Sequence, residues 1–204
     1  VQFSEGLPCV GWDESKNKVY FKLEDEDACI HELEDFYRDY LESNLERFKL
    51  SEKYALGFHR FLEKLDDGYV AVKAQITGPV SLGLGLTDSA GKSIMYYEHM
   101  YDVLVKTLVL KIRWQILKLR EKVEEDVPLL MFIDEPYMAA FGSAFIPLRR
   151  EDVVDKINEL VREVHAHPNC FAGVHCCANT DWSILLSTDV DIFCLLYTSP
   201  SPRD

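Results

Sequence analysis

Pro128-Leu129-Leu130-Met131-Phe132-Ile133-Asp134-Glu135-Pro136 decides the fold. Five apolar residues run unbroken between a proline and two acids. A strand in a parallel sheet is covered on both faces and reads as such a run, whereas a strand solvated on one face alternates. Proline suits the first residue of a strand, where no ladder donor is required. Upstream, Tyr69-Val70-Ala71-Val72-Lys73-Ala74-Gln75-Ile76 reads as an earlier strand, stopped by Thr77-Gly78-Pro79. Downstream, 171–177 reads as a third strand, and Val190-Asp191-Ile192-Phe193 begins a fourth.

Helical periodicity fills the intervals. A helix is expected over 28–48, where Leu33, Phe36, Tyr37, Tyr40, Leu41, Leu45 and Phe48 recur at steps of three and four. A second is expected over 52–65. A long one over 93–123 is apolar almost all round between Val103 and Leu110, the mark of a helix buried on more than one side. Another follows over 148–165, with Val153, Ile157, Leu160, Val161 and Val164 in its stripe. Asn179 is the expected cap of a short helix through Leu186. Near the start, Val10–Trp12 and Val19–Phe21 suggest a hairpin around a polar turn.

Strands alternating with helices imply a parallel sheet, either a barrel or a doubly wound sheet. All three complete strands end in polar or special residues, and barrels gather their sites at that rim, which favours the barrel. The expected fold class is α/β: a partial (β/α)8 barrel truncated at both ends, since a whole barrel takes about 250 residues. Residues 1–193 form one domain in this reading, with a hairpin and helical portion over 1–68 and βα units over 69–193. The stretch 194–204, Cys-Leu-Leu-Tyr-Thr-Ser-Pro-Ser-Pro-Arg-Asp, resembles a codon-for-codon translation of a sequencing-library adapter and is set aside. With Val1 in place of Met, the rest is expected to be an internal piece of a longer protein.

Composition narrows the function classes. Lys and Arg number 22 against 35 Asp and Glu, a net charge of -13, which repels phosphate backbones and argues against nucleic acid as partner. Apolar runs fall short of the roughly 18 residues that a membrane span needs, so no membrane partner is expected. No basic segment followed by an apolar run opens the chain. Six cysteines at irregular spacings do not form a recognisable disulfide framework. The expected location is cytoplasmic.

Chemistry concentrates at the strand ends. Residues two apart on a strand share a face, so His175 and Cys177 would point together and Cys176 oppositely. An imidazole and a thiolate on one face are half of a zinc site; the alternative is that all three are core residues. Asp134 and Glu135 could bind an ammonium or act as acid and base, or simply begin a solvated loop. Thr77-Gly78-Pro79 reads as a tight turn whose backbone donors could face a ligand. Gly91-Lys92-Ser93 imitates a phosphate-binding loop, but Leu86 stands where the first glycine is needed and no strand directly precedes it.

Together, Gln75-Ile76-Thr77-Gly78-Pro79, Phe132-Ile133-Asp134-Glu135-Pro136 and Gly173-Val174-His175-Cys176-Cys177 resemble, in order and spacing, the catalytic barrel of cobalamin-independent methionine synthase. Uroporphyrinogen decarboxylase and the corrinoid-dependent methyltransferases belong to the same superfamily. The resemblance covers 70–193 and implies methyl transfer to a small thiol such as homocysteine. It implies His175 and Cys177 as ligands of Zn2+, with a further acid and cysteine beyond Phe193. It also implies Asp134 holding the substrate ammonium, Glu135 beside it as a second catalytic acid, and Thr77 and Gly78 at the substrate. The donor stays open between a folate and a corrinoid, with a corrinoid protein as partner in the second case, because Val80-Ser81-Leu82-Gly83-Leu84 lacks the aromatic residue that would stack a folate. The competing readings are a metal-free decarboxylase, which would have no need of a paired soft ligand, and a non-catalytic binding or corrinoid-partner module, in which the zinc site merely docks a thiol ligand.

Overall fold

A computed structural model describes residues 1–195 except 14, 16, 17, 23–25, 67, 144, 145, 178 and 179; of residues 26 and 195 it describes the backbone alone. It is a mixed α/β structure. Strands β1 (Val10–Asp13) and β2 (Lys18–Phe21) pair antiparallel, with Val10 opposite Phe21. Helices α1 (Glu26–Leu41) and α2 (Glu52–Lys64) follow. Then come β3 (Val72–Thr77), α3 (Pro79–Gly85), α4 (Glu98–Arg120), β4 (Leu129–Asp134) and α5 (Arg150–His165). The described chain ends with β5 (Cys170–Cys176), α6 (Trp182–Leu185) and β6 (Ile192–Leu195). Strands β3 to β6 form one parallel sheet in chain order.

The two faces of this sheet differ. Val72, Ala74, Ile76, Leu129, Met131, Ile133, Ala172, Val174 and Cys176 lie in the same buried core as the inner faces of α4 and α5. The opposite face carries Lys73, Gln75, Thr77, Leu130, Phe132, Asp134, Phe171, Gly173 and His175, where Lys73, Gln75 and Phe171 are exposed. Gly173 is required there: a methyl group on it would meet the Phe132 ring of the neighbouring strand at 2.7 Å. Burial of α4 on several sides has a direct cause, since it packs against α3, α5, β3 and the 3-10 turn Leu45–Phe48 at once. Leu104, Leu108, Ile112 and Ile116 are fully enclosed. Each such side chain contributes about 1.5–3 kcal/mol relative to exposure.

Several sequence expectations need correcting. The helix expected over 28–48 ends at Leu41, because Ser43 adopts the left-handed region at φ 53°. Ser43 N–H then donates to Tyr40 O and Asn44 N–H to Asp39 O, the paired closure of a Schellman motif. Phe48 belongs to the separate turn and reaches the Phe36 ring edge-on at 5.7 Å. The long helix begins at Glu98, after Ser93 caps a short 3-10 turn (Ile94–Tyr96) through its hydroxyl. The segment after Thr77-Gly78, read as a turn, is the helix α3 with Pro79 at its first position. Asn179 lies outside the described residues, and the short helix is capped by Asp181, which accepts from Ser183 N–H. Cys9 and Cys29 form a disulfide tying the segment before β1 to α1, so the cysteines are not all unpaired. No helix among the described residues is long and apolar enough to cross a membrane.

Candidate functional site

The carboxyl ends of three neighbouring strands make a polar row. Thr77 is the register partner of Asp134, and Asp134 is the register partner of His175. Aligned positions on adjacent strands project to the same side, so all three side chains stand on the open face, each half-buried. Past the ladder, Gly78 N–H donates to Asp134 O at 2.8 Å and Glu135 N–H to His175 O at 2.7 Å. The amide of Gly78 is therefore engaged within the fold, and the room left by its missing side chain is filled by the Glu135 carboxylate.

Among the described residues, His175 Nδ1 is buried without a hydrogen-bond partner. A ring nitrogen in that state is costly unless something else satisfies it, which makes it the most suggestive atom of the row. Cys177 lies just past the end of β5 and is exposed. The shared strand face expected for His175 and Cys177 therefore does not extend to Cys177, while Cys176 is buried on the helix side as expected. No group of three or more His, Cys, Asp and Glu placed to hold a metal occurs among the described residues. Burial raises the Asp134 carboxyl above its ordinary value, and the charges of Lys73 and His175 work against that rise.

Glu135 points away from the row. It is fully buried, and its carboxylate sits at the start of α3, accepting from Val80 N–H at 2.9 Å, Ser81 N–H at 2.8 Å and the Ser81 hydroxyl at 2.6 Å. Burial pushes its carboxyl up to about 7, against the pull of these three donors; the neighbouring Asp134 charge adds to the rise. The Ser81 hydroxyl also accepts from Tyr137 N–H at 3.0 Å. Behind α3 the Tyr101 ring lies against Gly83, and its buried hydroxyl has no partner among the described residues. Burial raises that hydroxyl well above its usual value, with Glu135 and Asp152 adding to it.

Sequence reasoning missed Ser81. The available signal pointed to Glu135 rather than to Ser81: Gly78 at the cap position and Pro79 at the first helical position supply no capping oxygen, and the Glu135 carboxylate supplies it. Beside this corner Thr77, Ser81, Pro136 and Tyr137 line a cleft of about 350 Å³, with Lys18 and Val19 of the hairpin also in its lining. The hairpin is held there by Phe21 N–H on Thr87 O and by Lys18 Nζ on Thr87 Oγ1. The cleft lies at the small end of the range usual for ligand sites. Comparison of the chain with protein-family models, with characterised proteins and with solved structures gives no match.

Proposed function

We propose that this chain belongs to a zinc-dependent methyltransferase of methionine-synthase type, acting on a small thiol such as homocysteine, and that its sheet is part of a (β/α)8 barrel. The observation that carries the reading is the row Thr77, Asp134 and His175 at the strand ends, with His175 Nδ1 buried and without a partner among the described residues. His175 and Cys177 would hold the metal, two donors of the kind zinc takes, and a full shell of four would need two more. Bound zinc would turn a coordinating substrate thiol into the thiolate, the nucleophilic form.

The chain's own residues bind and orient. Asp134, half-buried and adjacent to His175, accepts the substrate ammonium, and its raised proton affinity is relieved by that cation. The Thr77 hydroxyl stands next to Asp134 and can hydrogen-bond the substrate's other polar end. The methyl donor is a folate or a methylated corrinoid, the latter on a partner protein. The acidic charge supports a partner set without nucleic acid.

Zinc titration against a chromophoric chelator tests the reading. The 204-residue chain should bind weakly, and His175→Ala or Cys177→Ser should abolish binding. Equal uptake by the wild type and both variants would overturn the proposal, as would nanomolar affinity surviving in Cys177→Ser.

A further inference from the structure

We propose that Ser81 is a positioning residue for the rim, acting through Glu135 to hold the ends of β3, β4 and β5 in one row. The inference rests on the proposed site but concerns a residue with no role in it. Ser81 is buried and uses its hydroxyl twice, donating to Glu135 Oε2 at 2.6 Å and accepting from Tyr137 N–H at 3.0 Å. Its own amide joins the same carboxylate at 2.8 Å.

The consequence lies in where these bonds lead. Glu135 follows Asp134 directly, and its amide is tied to the His175 carbonyl at 2.7 Å. Gly78, which opens α3, is tied to the Asp134 carbonyl at 2.8 Å. Ser81 therefore sits where the start of α3, the turn after β4 and, through Glu135, the end of β5 meet. Displacement of the Glu135 side chain moves the backbone on both sides of Asp134. A serine fits because its hydroxyl supplies one donor and one acceptor. The network is fully satisfied around Ser81, the condition under which buried polar groups rigidify a structure.

Amide hydrogen exchange and L-homocysteine calorimetry on Ser81→Ala and Ser81→Thr test the assignment. In Ser81→Ala the amides of Gly78, Glu135 and Tyr137 should exchange at least tenfold faster, with α4 and α5 amides within twofold of wild type. Ser81→Thr, which keeps the hydroxyl, should restore them. Exchange at the rim within twofold of wild type in Ser81→Ala, or acceleration spread evenly through α4 and α5, would overturn it. Homocysteine affinity should fall at least fivefold in Ser81→Ala and recover in Ser81→Thr; an unchanged affinity overturns the positioning role. If the wild type binds no homocysteine, the substrate reading fails, and the exchange data alone decide whether Ser81 holds the rim.

Discussion

The Glu135 carboxylate occupies the space that a Cβ on Gly78 would need. The side chain of the one residue packs directly on the backbone of the other, at the point where α3 begins. Gly78 has an extended backbone that any residue could adopt, φ -74° and ψ 166°, so the requirement for glycine is one of room alone. Gly78→Ala should push the carboxylate off the Val80 and Ser81 amides and cost about 1–3 kcal/mol, the usual range for an overpacked core. Urea denaturation measures it, and a loss below about 0.5 kcal/mol would contradict the packing described.

Glu135 also predicts a pH dependence. Its carboxyl is raised from 4.5 to about 7 in the folded chain, so the folded state holds the proton more tightly than the unfolded state does. Its contribution is fully present below about pH 4.5 and is lost as pH rises through about 7. The size is on the order of 3 kcal/mol. Chemical denaturation at several pH values should show this decline, and Glu135→Gln should flatten it. A wild type whose stability does not fall across that window would refute the assignment.

Lys111 gives the opposite slope. It is fully buried on α4, and its Nζ donates to the Phe48 carbonyl at 3.2 Å and the Lys49 carbonyl at 3.4 Å. Burial lowers its ammonium from 10.5 to about 8, with Glu5 opposing the shift. The unfolded state therefore binds the proton more tightly, and this lysine's contribution to stability rises between about pH 8 and 10.5. Lys111→Met should remove that rise; an identical pH profile in wild type and variant would show that Lys111 does not titrate there.

On the open face, Lys73 Nζ stands 4.6 Å from the Phe132 ring centroid, and that ring lies over Gly173. Gly173→Ala should force the ring aside and cost about 1–3 kcal/mol. The same substitution at Gly85, where a methyl group meets open space, should stay within about 1 kcal/mol of wild type or stabilise, as expected for alanine replacing glycine in a helix. Thermal unfolding of the pair checks it, and equal losses at both sites would sink the steric argument.

The Cys9–Cys29 disulfide closes a loop of 20 residues between the hairpin and α1. Replacing both cysteines by serine should lower stability by about 3 kcal/mol through the freed unfolded chain. Equal denaturation midpoints for the oxidised wild type and the double variant would rule that contribution out.

Much of this was legible residue by residue. The unbroken run Leu129–Ile133 announced a strand of a parallel sheet, and it became an inner one, although the cover expected on both faces is present on one, the other carrying the exposed Lys73, Gln75 and Phe171. Val103 to Leu110 announced a helix buried all round, and α4 is enclosed there on several sides. Boundaries were less legible. Ser43 ends α1 by taking a left-handed conformation that serine does not advertise, and the apolar residues beyond it kept the period going into a separate turn. Strand β3 begins at Val72 because Val70, apolar as it is, stands exposed beyond the ladder.

Periodicity and composition are local properties, so the sequence by itself determined the order of strands and helices, the acidic surface and the placing of polar residues at the ends of strands. The alignment of Thr77, Asp134 and His175 depends on register between strands 41 to 57 residues apart, and only the folded sheet sets it. The fate of Glu135 was likewise a tertiary matter. Two adjacent acids look equivalent in a sequence, but successive residues leave a strand in opposite directions, so one carboxylate faces the open side and the other caps α3.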